Sequence, residues 1–306
     1  MGGYIARRVL GSVPVLVLVV TAVFFLFQLI PGDPARALLG PEATPDVVEQ
    51  VRRDLGLDRP ILTQYMTYLG RLGRGDLGKS ISTRRPVAEE LAEPFWNTLK
   101  LAVVSIVLAT LVGVLLGIVA AVRQGTVWDH LASVVALLGI SIPVFWLALL
   151  MMYLFSVRLQ LLPSAGDETW RHYLMPTLSL ATFSLAFIAR MTRSSLLEVI
   201  RMDYVRTARA KGVPEWRVIL HHALRNALLP VVIVVGLRFG YMLGGAVVTE
   251  QVFAWPGLGR LLVMAVSQRD IPLIQGILLL FATTFVVVNL VVDVLYGFLE
   301  PQIRYR

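Results

Sequence analysis

The sequence predicts an all-α polytopic membrane protein with six transmembrane helices and a small, partly helical external region between the first two. Three observations carry this. Of 306 residues, 57% are hydrophobic and 16% charged, with a mean hydropathy of +0.73, whereas soluble domains carry about 25% charged residues. The apolar residues gather into six runs, each near the ~20 residues an α-helix needs to cross a bilayer. None of these runs alternates with the period of two that a barrel strand requires.

Cysteine is absent, which excludes disulfides and thiolate metal sites. The net charge is +8. In a soluble protein such a balance points to nucleic acid. Here the basic residues sit in loops beside apolar runs, so membrane topology accounts for them.

Span 1 is Val9 to Ile30, ended by Pro31 and Gly32. Arg7 and Arg8 before it, and Ala35-Arg36-Ala37 after it, resemble signal-peptide features. The run exceeds the roughly 7–15 residues of a signal peptide's apolar region, so it reads as a retained span. Span 2 is Thr98 to Val122. Span 3 is Leu131 to Val157 with Pro143 inside it. Span 4, Tyr173 to Met191, is the weakest, with Thr177, Ser179, Thr182 and Ser184 among its apolar residues. Span 5 is Leu228 to Val248, interrupted by Arg238, and span 6 is Ile274 to Leu299. The chain thus divides into 1–30, the external region 31–97 and a core of 98–306 that includes a cytoplasmic loop at 192–227.

Orientation follows from the Lys/Arg bias. Arg7 and Arg8, Arg123, the basic residues from Arg190 to Arg225, and Arg304 and Arg306 all fall on one side of six spans. That side is cytoplasmic, and so are both termini. The region 31–97 has nearly balanced charge and is long enough to escape the rule, so it lies outside. In it Val47, Val48, Val51 and Leu55 recur at helical spacing.

Gly73 to Ser80, GRGDLGKS, fits the phosphate-binding pattern GxxxxGK[ST]. That chemistry needs a strand before the loop and a helix after it, so that backbone amides cradle phosphates. A helical run precedes it and Pro86 follows closely, so it reads as a turn, and a P-loop ATPase is disfavoured. His221 and His222 are adjacent, so they diverge by about 100° on a helix and do not share a face as metal ligands would. No catalytic constellation and no metal site are evident. Gly113 and Gly117, and Gly240 and Gly244, have the GxxxG spacing that permits close helix approach. Arg238, Glu250, Asn289 and Asp293 lie in or at the edge of spans and are the candidates for a translocation pathway. Such residues face protein or water rather than lipid. For Glu250 an interfacial ion pair is the alternative, and for the others mutual pairing that only holds the bundle.

The most cationic stretch is Asp203 to Pro230. Asp203 can cap a helix whose first turn begins at Tyr204. Gly212 ends that helix and Pro214 opens the next. The first helix presents Arg206 and Arg209, with Ala208 and Ala210 keeping it slim. In the second, Trp216, Ile219, Leu220, Ala223, Leu224, Ala227 and Leu228 form one apolar stripe.

These stretches resemble the permease subunits of binding-protein-dependent ABC importers, in particular the dipeptide/oligopeptide branch. That family has a cytoplasmic loop of the form EAA, three residues, then Gly. Here the run is Arg206-Thr207-Ala208-Arg209-Ala210-Lys211-Gly212, which keeps the second Ala and the Gly and replaces Glu and the first Ala. The branch's variant, RTARAKG followed by HALRNA, fits better. Ile30-Pro31-Gly32-Asp33-Pro34, Gly75 to Ser80 (the branch's external GDxGxS), and Glu250 to Gly259 (E-x-V-F-x-W/Y-P-G-x-G) also resemble elements of that branch.

The resemblance covers nearly the whole chain. It implies a type I ABC importer permease fold in a bacterial cytoplasmic membrane. It implies a non-catalytic subunit that binds no cofactor itself, ATP and Mg being held by partner ATPases. Its other partners would be a second, similar permease subunit and an extracytoplasmic binding protein. Asp203, Tyr204, Arg206, Thr207, Ala208, Arg209 and Gly212 would contact an ATPase, although Arg206 cannot make the contacts of the family's Glu. The solute would be a peptide or a similar small molecule. The branch carries dipeptides, oligopeptides, glutathione, nickel chelates and some sugars. The rival reading, a stand-alone secondary carrier or channel, needs a continuous ionisable path. Only Arg190, Arg238, Asn289 and Asp293 are available for one.

Overall fold

The computed structural model describes residues 2–28, 44–54, 56 and 58–299. The run Ile30 to Pro34, Ala35-Arg36-Ala37, Leu55, Arg304 and Arg306 lie outside the described residues. Eleven helices follow in order among those described: α1 (Gly2–Gln28), α2 (Pro45–Asp54), α3 (Ile61–Leu72), α4 (Val87–Val122), α5 (Val127–Ser141), α6 (Val144–Arg158), α7 (Trp170–Ile200), α8 (Asp203–Ala210), α9 (Glu215–Val252), α10 (Leu258–Ser267) and α11 (Ile271–Leu299).

Among the described residues, α1, α4, α7, α9 and α11 are each long and apolar enough to cross a membrane, and α5 with α6 makes a sixth, broken span. Span 3, expected as one helix, bends by 102° at this break. The cause is local. Pro143 offers no N–H to continue the ladder, and its ring forces Ile142 into an extended conformation at φ −84° and ψ 122°.

Other spans run longer than expected. Val87 to Asn97, assigned to the external region, is the first part of α4. Charged residues at that end, including Glu89 and Glu90 in its first turn, hid its helical continuity. The helix expected after Pro214, in the loop between spans 4 and 5, likewise runs without a break into span 5 as α9, through a π-helical stretch at Val218–Ala223.

The core forms where α4, α7 and α9 meet. Leu101, Ile106, Leu180, Ile188, Leu243 and Trp255 are buried together there. The α4–α7 contact is the most extensive in the molecule. It depends on Gly113 and Gly117. A β-carbon on Gly113 would stand 2.9 Å from the Leu185 carbonyl oxygen, and one on Gly117 would stand 2.7 Å from that of Ala189. The second glycine pair divides. Gly240 is closed by the Phe285 ring at 2.9 Å, whereas Gly244 faces open space. Against this core, α1 packs on α11, and α3 folds over both through Val23, Phe24, Tyr68 and Leu279. Large apolar side chains remain exposed on the spans, among them Leu10, Leu18, Leu111 and Leu115. That surface suits lipid or a partner chain.

Candidate functional site

Helix α8 is short, and its two faces differ. Val205 and Ala208 are buried against Leu196, Val199, Val218, Ile219, Ala223 and Ala227, so α8 is seated on the ends of α7 and α9. Full burial of one Val side chain is worth roughly 1.5–3 kcal/mol. Asp203, Arg206, Thr207 and Ala210 point away from that seat into solvent. Ala208 therefore faces the chain's own core and is not on the outward surface.

Polar contacts lock the seat. The Tyr204 hydroxyl accepts a hydrogen bond from Asn226 Nδ2 at 2.7 Å. Arg209 turns back rather than outward. Its Nη2 lies 2.7 Å from Glu215 Oε1, its Nε 3.1 Å from Oε2, and its Nη1 donates to the Ile200 carbonyl at 3.4 Å. This bidentate pair joins α8 to the start of α9 and holds the Arg209 guanidinium above its ordinary range. Asp203 is the first residue of α8, not its cap. Met202 precedes the helix, and no side chain caps it. Asp203 instead places negative charge in the first turn, where the helix dipole favours it. Gly212 sits at φ +75°, a left-handed conformation that suits glycine, and its N–H donates to the Arg209 carbonyl at 2.9 Å. The apolar stripe beyond it is split. Ile219, Ala223 and Ala227 are buried, but Trp216 is 61% and Leu220 52% exposed. The π-helical stretch shifts the register through which the stripe would have kept one face.

A half-buried ion pair fixes this end of the bundle. Arg193 donates from Nε and Nη2 to the two Asp129 carboxylate oxygens at 2.8 and 2.9 Å, and the Gly125 N–H donates to Asp129 Oδ2 at 3.0 Å. The contact ties α7 to the first turn of α5.

At the opposite end, Glu250 is fully buried. Its Oε1 accepts from Thr98 Oγ1 at 2.6 Å, and its Oε2 accepts from the Gly259 and Arg260 N–H groups at 2.7 and 3.2 Å. Thr98 Oγ1 in turn accepts the Leu258 N–H at 2.8 Å, and Trp255 Nε1 donates to the Asn97 carbonyl at 3.2 Å. Glu250 thus serves the first amides of α10 and binds that helix to α4. Gly257 and Gly259 are required by the same contact, since a β-carbon on either would overlap the carboxylate or its backbone neighbour Val247.

A second carboxylate, Asp270, repeats the arrangement for α11. Its Oδ1 accepts the Leu273 N–H at 3.2 Å. Its Oδ2 accepts from Ser80 Oγ, Ser82 Oγ, and the Ile81 and Ser82 amides at 2.6, 2.9, 3.0 and 3.1 Å. Burial alone would raise its pKa, but these hydrogen bonds together bring it below the ordinary aspartate value. This contact is what the GRGDLGKS stretch serves. Gly75 and Gly78 turn the chain at φ +74° and +83°, helix α3 rather than a strand precedes them, and Ser80 is spent on Asp270.

The remaining pathway candidates separate into two places. Asp293 pairs with Arg8 of α1 at 3.0 Å, and Asn289 Nδ2 donates to the Phe285 carbonyl at 3.0 Å, both beside an opening of about 590 Å³ between α1 and α11. Arg238 instead lies over the Phe187 ring at 3.5 Å and lines a cleft of about 350 Å³ between α7 and α9 with Arg190, Ser194 and Tyr241. Asp129 and Asp270 were not among the residues the sequence singled out. For Asp270 a signal existed: an Asp followed by Pro272 in the first helical turn is a helix-start signature. For Asp129 none did, because its partner is 64 residues away.

Comparison with known proteins agrees with this architecture. The model of the binding-protein-dependent transport system inner membrane component family matches residues 113–305, and that of the family's N-terminal membrane component matches residues 1–102. The chain is 49% identical over 306 residues, all of both chains, to the glutathione transport system permease protein GsiC of Escherichia coli O6:H1, and 49% identical over the same span to that of Salmonella typhimurium. The fold is similar to a chain of the inward-facing MetNI methionine ABC transporter (TM-score 0.58, 21% identity, 69% of this chain and 96% of that one). It is also similar to a chain of an amino acid ABC transporter solved with histidines (TM-score 0.52, 18% identity, 70% and 94%). The whole-length identity, the two family matches and the shared helical architecture agree: the chain belongs to the binding-protein-dependent transport system inner membrane component family, the non-catalytic, multi-pass permease subunits of ABC importers whose ATP is bound by partner ATPases.

Proposed function

We propose that this chain forms half of the translocation pathway of a peptide importer and receives the ATPase movement through α8. The observation that carries the coupling role is the two-faced seating of α8: Val205 and Ala208 fixed in the chain's own core, Asp203, Arg206, Thr207 and Ala210 turned outward. A short helix locked at both ends to long spans transmits rigid-body displacement instead of absorbing it. The partner on that outward face is an ATPase subunit, met by Arg206 at the position where the family's Glu would stand. A second, similar permease subunit completes the pathway, and an external binding protein delivers the solute. Both chain termini lie on the cytoplasmic side with α8. The peptide class rests on the full-length similarity to glutathione permeases, glutathione being a tripeptide. Vesicles carrying the complete importer test this reading. Gly212→Pro cannot adopt φ +75° and loses its hydrogen bond, and Ala210→Trp blocks the outward face without entering the core. Both variants are expected to insert normally and to abolish ATP-dependent peptide uptake. Normal uptake by both contradicts the coupling role.

A further inference from the structure

The cleft between α7 and α9 contains an unusual pair of charges. Arg238 lies 14 residues from the end of α9 at Val252, and Arg190 lies 10 residues from the end of α7 at Ile200. At ~1.5 Å per residue Arg238 lies about 21 Å and Arg190 about 15 Å along the helix from those ends. Neither makes an ion pair or a hydrogen bond among the described residues. The basic residues nearest in sequence are differently placed: Arg193, one turn beyond Arg190, is consumed by Asp129.

Arg238 is held in position by aromatic rings. Its guanidinium lies 3.5 Å from the Phe187 centroid, 5.4 Å from Phe183 and 5.8 Å from Tyr241. Stacking of this kind fixes the plane of the guanidinium but leaves its in-plane N–H donors unused. Arg190 stands at the border of the same cleft and of a second, about 380 Å³, on the α4–α5 side. An unpaired arginine within a span does not face lipid; it faces water, a counter-charge or a bound group.

We infer that Arg238 and Arg190 form a carboxylate-binding station in the translocation pathway, which takes peptides through their free carboxylate groups. The inference rests on the peptide-importer reading and deepens it by naming the chemical group of the solute that the pathway holds. Arg238 supplies a planar fork that matches a carboxylate. Phe187 and Tyr241 give the neighbouring peptide surface an apolar wall. Arg190 adds long-range attraction, which is stronger in a partly dehydrated cleft than in water. An open cleft and only two cations suit a transient stop rather than a tight site, as transport requires.

The test uses the whole importer in proteoliposomes, with reduced glutathione and trialanine as probes and loaded binding protein at saturation. Arg238→Gln and the double variant Arg190→Gln/Arg238→Gln are expected to lower uptake of either peptide about tenfold or more, the scale of losing a charge-assisted bidentate contact. Arg238→Lys is expected to recover part of it. Assembly with the partner subunits and ATP hydrolysis stimulated by the binding protein are expected to persist. Double-variant uptake within twofold of the parent overturns the inference. So does loss of assembly in the Gln variants that Arg238→Lys restores, which would assign the counter-charge to the second permease subunit. A parent importer that takes up neither peptide contradicts the peptide-importer reading itself, whereas uptake indifferent to both variants contradicts only the station.

Discussion

Asp270 and Glu250 do the same job at two helix starts. Each accepts hydrogen bonds from the first amides of a helix and from a segment far away in sequence. Hydrogen bonds to a charged acceptor are worth roughly 1.5–3 kcal/mol each, and removal of the acceptor strands the buried donors. Asp270→Ala is therefore expected to lower stability by about 3 kcal/mol, read by chemical denaturation in detergent. The pH dependence has a definite sign. The Asp270 pKa is below its ordinary value, so its stabilisation is complete above that value and is lost as the pH falls through the folded pKa. Asp270→Asn should lose that acid-side dependence, and an unchanged acid limb would contradict the assignment. Glu250 is tested against its other reading, a residue lining the pathway. Glu250→Gln keeps one carbonyl acceptor and is expected to reduce the folded yield while leaving uptake per folded complex within about twofold, a change of under half a kcal/mol. A tenfold drop in uptake per folded complex would restore it to the pathway.

At the scale of elements, α8 and the α4–α7 contact invite opposite variants. Arg209→Ala frees α8 from Glu215 and the Ile200 carbonyl but leaves the outward face intact. Uptake should fall while ATP hydrolysis continues, because the helix then moves without its spans. Tight coupling in that variant would exclude Arg209 as part of the lock. Gly117→Leu fills a space in which even a β-carbon meets the Ala189 carbonyl at 2.7 Å, so a cost of at least 1–3 kcal/mol and poor membrane yield are expected. Normal yield would show that α4 and α7 can separate freely. These elements also show how far the sequence could be read. Gly212 and the RTARAKG run were enough to place α8, since each acts within a few residues, although the cap expected of Asp203 is not made. The facing of α8 was harder. Arg209 looked like half of an outward basic surface, and only its bidentate contact with Glu215 turns it inward. The 102° break at Pro143 was visible as a proline but not as a bend, because proline inside a membrane helix is often accommodated by neighbouring groups, and here Pro14, Pro94, Pro176 and Pro230 lie within helices that stay continuous.

At the scale of the whole molecule, the six hydrophobic runs were legible because the bilayer imposes length and apolarity on each one separately. Their partners were not, since Asp129 with Arg193, Asp270 with Ser80 and Glu250 with Thr98 join segments between 64 and 190 residues apart. The result is a bundle braced at both ends. Buried carboxylates hold the helix starts of α10 and α11, and the Asp129–Arg193 pair and the α8 seat hold the other end. Such a body can pass a push on α8 to α7 and α9, which carry the Arg190–Arg238 cleft between them. The absence of cysteine makes a direct test of that coupling simple, because a single introduced thiol has no competitor in the chain. The decisive measurement is photocrosslinking in the assembled importer from a benzophenone attached to Ala210→Cys, with Arg74→Cys, between α3 and α4, as the control. A light-dependent product containing an ATPase subunit is expected from position 210 and none from position 74; an ATPase product from position 74, or none from position 210, would contradict the coupling role of α8.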